Sequence, residues 1–357
     1  MRGAEQSTLL YPGNRRRMTS RHVQSPMELP HSSVFRAATA VLAWLGRQGT
    51  RAIAAVVLIG IAVPPLGAVL RPFVTPAIFV LLCIAFLRVD AAGLRSYVRR
   101  PHLVLAATAW TMLAVPLLFG TVCLSSGLDA RAPELFLALM MQAVAPPMMA
   151  APAFAALMGF DATLVLASLV TSTALTPISA PLFAYAFIGP ALTLSPTLLG
   201  LKLFAILAGS VLVAMIGRRF LGPEVIARGK DELDGINVIV VFVFVAAVME
   251  HAAANFIDAP PATLGLAALA FAVSIAVLGA TALVFARAGK ERAFMLGLMA
   301  SQRNMGLMLA ATGGALPDFV WLYFALCQFP IYLFPQLLKP LARRLVDRSQ
   351  TAARAVQ

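Results

Sequence analysis

Residues 301–306, Ser-Gln-Arg-Asn-Met-Gly, put one full positive charge and two side-chain amides inside an apolar segment whose flanks, 293–300 and 307–311, carry no charge. The segment is long enough to enter a bilayer, and its polar groups then lie near mid-depth. An arginine at the centre of a membrane helix costs about 2.5–3.5 kcal/mol on insertion scales, and such residues face a cavity, an ion path or a partner. Its planar guanidinium suits a carboxylate, sulfate or phosphonate, and the amino end of a helix starting after Asn304 adds positive potential. The chemistry expected is capture of an organic anion by Arg303, with neutral hydrogen bonds from Gln302 and Asn304. The competing reading has Arg303 tie helices together and has the two amides satisfy the backbone of a broken helix.

Other polar residues lie in apolar stretches. Ser168 and Ser172, four apart, share one face of a helix and are candidates to line the same site; their alternative is to bond their own helix backbone. Glu250 and His251 are adjacent and are the candidate pair for carrying a proton at physiological pH; their alternative is ordinary placement at the membrane interface. Asp161 stands just before a helix and reads as its cap, and Lys202 is close enough to a helix end to snorkel. Pro146, Pro147 and Pro152 interrupt one apolar run as Gly306 and its polar neighbours interrupt another. Such breaks are tolerated at membrane depth where they line a cavity or are buried in protein. Cys83, Cys123 and Cys327 have no paired spacing, so neither a disulfide framework nor a metal site is expected.

These residues need elements to hold them. With 60% hydrophobic and 12% charged residues over 357 positions and a mean hydropathy of +0.86, the chain reads as a polytopic membrane protein in a lipid bilayer. Apolar runs place ten spans near 52–70, 73–88, 103–124, 134–158, 162–188, 197–217, 235–256, 262–286, 293–314 and 318–338. Residues 1–33 read as a disordered basic tail, 34–50 as a helix lying at the interface or as an extension of the first span, and 339–357 as a second tail. Arg71 and Arg131 fall in loops on one side and Lys202 and Arg303 inside spans; the rest of the 28 Lys and Arg fall on the other side, which places both termini in the cytoplasm. That asymmetry also accounts for the net charge of +13 without a nucleic-acid partner. The expected fold class is therefore all-α. Its ten helices divide into two inverted five-helix repeats, 51–188 and 197–338, with the interrupted fourth and ninth helices crossing at mid-membrane.

The motif Ala145-Pro146-Pro147-Met148-Met149-Ala150-Ala151-Pro152, followed by Gly159-Phe160-Asp161 and by Thr173-Ala174-Leu175-Thr176-Pro177, resembles the fourth and fifth helices of the bile acid/sodium symporter family. Arg303-Asn304-Met305-Gly306-Leu307 resembles its ninth helix, and Phe86-Leu87-Arg88-Val89-Asp90 through Arg99-Arg100-Pro101 the stretch after its second. The resemblance covers about residues 50 to 345. It implies a panel domain, a core domain and a substrate site beside the crossing helices, in a bacterial inner (plasma) membrane. It also implies sodium ligands, and at those positions this chain has Ala151 and Pro152, Val165 and Leu169, Thr111, Met299 and Arg303. Among them only Thr111 keeps an oxygen, whereas a hard cation needs several. Sodium is therefore not expected at these positions, no cofactor is expected, and Arg303 is expected to stand in as a fixed cation; Thr111 joins the candidate substrate-binding residues.

The expectation is a secondary-active transporter of a small organic anion rather than an enzyme. No metalloprotease, nucleophile-elbow or phosphate-loop motif occurs. The alternatives are a sodium-coupled symporter using other ligands, a channel or a sensor; a channel calls for rings of like groups around a pore. Oligomeric state is not readable from the sequence.

Overall fold

A computed structural model describes residues 33–48, 55, 59, 62–89, 101–189, 194–313 and 315–345. Both basic tails, apart from residue 33 and residues 339–345, lie outside the described residues, as do residues 52–54, 56–58, 60 and 61 of the expected first span and the side chain of His251.

Every regular element among the described residues is a helix. The α-helices of seven residues or more with named bounds are, in chain order, α1 (Ser33–Gln48), α2 (Pro64–Leu70), α3 (Val74–Leu87), α4 (Pro101–Ala109), α5 (Val115–Ser125), α6 (Pro133–Val144), α7 (Ala151–Leu157), α8 (Thr163–Phe183), α9 (Pro196–Arg228), α10 (Lys230–Asp258), α11 (Pro260–Val284), α12 (Lys290–Ser301), α13 (Met305–Thr312) and α14 (Asp318–Leu337). A 3-10 turn, Arg71–Phe73, joins α2 to α3, and a π-helical stretch, Trp110–Ala114, joins α4 to α5. Among the described residues, seven helical runs are long and apolar enough to cross a membrane: Pro65–Leu87, Pro101–Ser125, Thr163–Ile188, Pro196–Arg228, Lys230–Asp258, Pro260–Val284 and Asp318–Leu337. The chain is thus an all-α protein with membrane-spanning helices. The expected spans 134–158 and 293–314 are missing from the seven for a physical reason: each is two shorter helices, α6 with α7 and α12 with α13.

Two helices organise the packing. α10 contacts α1, α2, α3 and α14, and α14 is lined on nearly every side, with Val320, Tyr323, Phe324, Ala325 and Leu326 wholly buried. By contrast α9 and α11 leave Leu201, Phe204, Leu212, Met215, Leu264 and Leu283 exposed. Helices that are apolar all round but outward-facing are those a bilayer covers.

Close approach is made possible by glycine. A Cβ on Gly46 of α1 would overlap the Asp231 carbonyl oxygen, and one on Gly235 of α10 would overlap that of Leu42. Polar ties close the ends: Arg88 donates to Asp234 at 2.6 Å and Arg71 to Asp318 at 3.4 Å, while Arg71 also lies 5.0 Å over the Trp321 ring.

Candidate functional site

The two broken helix pairs meet at their breaks. α6 stops at Ala145, whose ψ of 144° is extended, because Pro146 and Pro147 have no N–H to continue the ladder. α12 stops at Gln302, with ψ 100°. The extended segments then pair as an antiparallel bridge between Pro147 and Arg303. Met148 N–H donates to the Gln302 carbonyl at 2.8 Å, and Asn304 N–H donates to the Pro146 carbonyl at 2.7 Å. Each break therefore supplies what the other lacks. In a medium without water an unmet backbone group costs several kcal/mol, so this exchange is what makes two interruptions at membrane depth tolerable.

Arg303 sits at the centre of that exchange, 3% exposed. Its Nη1 donates to the carbonyls of Ala145 at 2.9 Å and Thr111 at 3.1 Å. No carboxylate pairs with it among the described residues. The Ala145 carbonyl is the carboxyl end of α6, where the helix dipole is negative and favours a cation. Nη2 is buried and has no hydrogen-bond partner. One edge of the guanidinium is held by protein, and the other has a donor to give.

The neighbouring amides divide. Asn304 Oδ1 accepts from Leu307 N–H at 3.2 Å and caps α13. Gln302 is fully buried; its Nε2 donates to Ser301 Oγ at 3.3 Å, whereas its Oε1 has no partner. Pro146 and Pro147 lie in the break itself. Pro152 lies within the first turn of α7, where a missing N–H is harmless. Gly306 occupies the first turn of α13, and a Cβ there would come within 2.5 Å of Ile78 Cδ1 and 3.1 Å of Phe244 Cζ. It admits α3 and α10 to the back of the crossing.

The hydroxyls of Thr111, Ser168 and Ser172 are buried without partners. Thr111 is joined to Arg303 through its carbonyl, and α8, which carries both serines, packs against α4, the π-helical stretch and α12. Thr108 and Thr173 share the same condition and were not singled out from sequence, although Thr108 precedes Thr111 by one helical turn. Unpaired hydroxyls at this density are unusual in a native interior, where most buried polar atoms find a partner.

Glu250 is separate from the crossing. It lies on α10 against Gly67 of α2, six residues and so about 9 Å along the helix from Phe244; its Oε2 is buried and unpaired. Asp161 Oδ1 accepts from the N–H and hydroxyl of Thr163 at 2.9 and 2.5 Å; the residue in the N-cap position of α8 is Ala162, not the expected Asp161. Lys202 brings its ammonium to the end of α13, where a Cβ on Gly313 (φ 62°) would lie 3.4 Å from Nζ. That is the negative end of the helix.

Sequence reading also missed the buried bond from Tyr323 Oη to Gln142 Oε1, 2.7 Å long, which joins α14 to α6 just before the break. A cavity of about 280 Å³ lies between the α4–α5 run and α11, lined by Trp110, Val115, Phe119, Cys123, Val273 and Val277 among others. It is apolar, and Trp110 Nε1 is occupied with Thr281 Oγ1 at 2.8 Å, so it offers nothing to hold an anionic group. No protein-family model matches the chain, and no characterised protein matches its sequence.

Proposed function

We propose that the chain is a secondary-active transporter of small organic anions, built as ten spans in two inverted repeats with both termini cytoplasmic, in a bacterial inner membrane. Two interrupted segments, 134–158 and 293–314, meet at their breaks, as inverted-repeat transporters place broken helices at a midplane site. The observation that carries the reading is Arg303 itself. A buried guanidinium with no carboxylate partner among the described residues and with a free Nη2 donor is suited to an anionic oxygen, since hydrogen bonds to charged groups are worth about 1.5–3 kcal/mol. Gln302, Ser168, Ser172 and Thr111 supply the polar surroundings; Asn304 serves by holding α13. The resemblance to bile acid/sodium symporters read from the sequence belongs to this proposal, since it implies interrupted fourth and ninth helices that cross beside a substrate site.

The experiment is a thermal-shift screen of the purified protein in detergent against carboxylates, sulfates and phosphonates, repeated on Arg303→Gln. Anions that raise the melting temperature of the wild type and not of the variant support the site. If no anion separates the two proteins, the site is wrong.

A second reading is sodium coupling through other ligands. It draws on the unpaired oxygens of Thr108, Thr111, Ser168, Ser172 and Gln302, which are the type a hard cation accepts. A full charge on Arg303 opposes it, because two unit charges 4 Å apart repel by about 4 kcal/mol at an effective dielectric of 20. Replacing sodium by potassium or choline in the same screen decides between the two readings.

A further inference from the structure

We propose that Pro116 is the positioning residue of the Arg303 site, acting through the Thr111 carbonyl. Hydrogen-bond accounting along this helix leads there. In the π-helical stretch Trp110–Ala114, the N–H of Val115 donates to the Trp110 carbonyl, five residues back. Continuing either pattern, the Thr111 carbonyl would take its bond from Val115 or from residue 116. Val115 is committed, and residue 116 is a proline with no N–H. The Thr111 carbonyl is thus stripped of any helical donor at a position that is 1% exposed. Arg303 Nη1 supplies the missing bond at 3.1 Å.

The other carbonyl on Nη1 is open because its helix ends there: Ala145 is extended, with ψ 144°, so no later N–H is carried back to its carbonyl, and Met148 N–H is spent on the Gln302 carbonyl. A proline inside one helix and the end of another therefore leave two carbonyls aimed at one nitrogen. Both protons of Nη1 are used, the planar group is fixed in two directions, and Nη2 is the donor that remains. A π-bulge of this kind at a functional site has precedent as a general device. Here it does for a guanidinium what a carboxylate ordinarily does, without cancelling the charge. That purpose rests on the anion-site reading, whereas the clamp itself does not.

The test needs no anion. Pro116→Ala gives residue 116 an N–H, so the Thr111 carbonyl regains a helical donor and Arg303 loses one acceptor. Melting temperatures are measured for wild type, Pro116→Ala, Arg303→Met and the double variant. If Pro116 acts through Arg303, the shift caused by Arg303→Met is less unfavourable by at least about 2 °C in the Pro116→Ala background, because one orphaned carbonyl rather than two is left behind. Additive shifts overturn the proposal. A spectroscopic signature guards against a variant that folds poorly. Thr111-Met112 is the one Thr-Met pair in the sequence, so labelling Thr carbonyl carbon and Met nitrogen isolates the Thr111 carbonyl in solid-state NMR of the protein in lipid. Its resonance moves upfield on Arg303→Met in the wild type and stays in place on the same substitution in Pro116→Ala. An unmoved resonance in the wild-type background contradicts the clamp whether or not the chain transports anions, and a moved one with no anion response in the thermal screen contradicts the transport reading alone.

Discussion

Asn304 shows how a polar residue at membrane depth divides its work. Its side-chain oxygen is committed to Leu307 N–H, so its contribution is the start of α13. Replacing a capping Asn by Ala costs about 0.5–2 kcal/mol, whereas Ser is nearly as good a cap. Asn304→Ala is therefore expected to lower the melting temperature by a few degrees and Asn304→Ser to restore most of it, with anion affinity per folded molecule unchanged in Asn304→Ser. A loss of affinity in a fully stable Asn304→Ser would instead make the amide a ligand. Arg303 is read by two substitutions. Arg303→Gln removes the charge and is expected to weaken anion binding by roughly tenfold to a hundredfold, the equivalent of one charge-assisted bond; Arg303→Lys keeps the charge and loses the fork, and weakens binding less. Isothermal titration on matched, folded preparations measures both. An arginine that only tied helices together would lower the melting temperature in Arg303→Gln and leave affinity alone. The residue types at 301–306 made this centre legible from sequence. The identity of its partners was not legible, because backbone carbonyls are the same at every position and only the fold decides which ones are left open.

Interruptions are as informative as helices. Pro146-Pro147 and the polar run 301–306 marked the two breaks in advance, and the structure pairs them through Met148, Gln302, Asn304 and Pro146. Nothing in the apolar run 103–124 marks the π-helical stretch, because a lone proline does not tell which carbonyl it leaves without a donor. Element packing offers its own prediction at α1. Gly46 and Gly235 let α1 lie against α10 with carbonyls where a Cβ would be; overpacking of this kind typically costs about 1–3 kcal/mol. Gly235→Leu is expected to undock α1, read as faster labelling of a cysteine placed at Ala43, which is buried in the wild type. Unchanged labelling in Gly235→Leu would show that α1 is held by other contacts, such as the exposed Arg47–Asp231 pair at 3.5 Å.

Across the whole molecule, composition alone established membrane-spanning helices, because 60% hydrophobic residues cannot be hidden inside a chain of this size without leaving apolar faces for lipid. The seven long apolar runs among the described residues meet that expectation, and the segments 134–158 and 293–314 fall outside them because each is broken into two shorter helices. The proposed transport cycle makes a stronger demand: the anion must cross, and its passage must saturate. Uptake of the best anion from the thermal screen into proteoliposomes, measured with sodium or potassium outside and with wild type, Arg303→Lys or Arg303→Gln inside the membrane, tests the central claim most directly. The account predicts saturable uptake that is equal in sodium and potassium, reduced in Arg303→Lys, and reduced further, by at least tenfold at limiting anion, in Arg303→Gln. Uptake that persists undiminished in folded Arg303→Gln would contradict it.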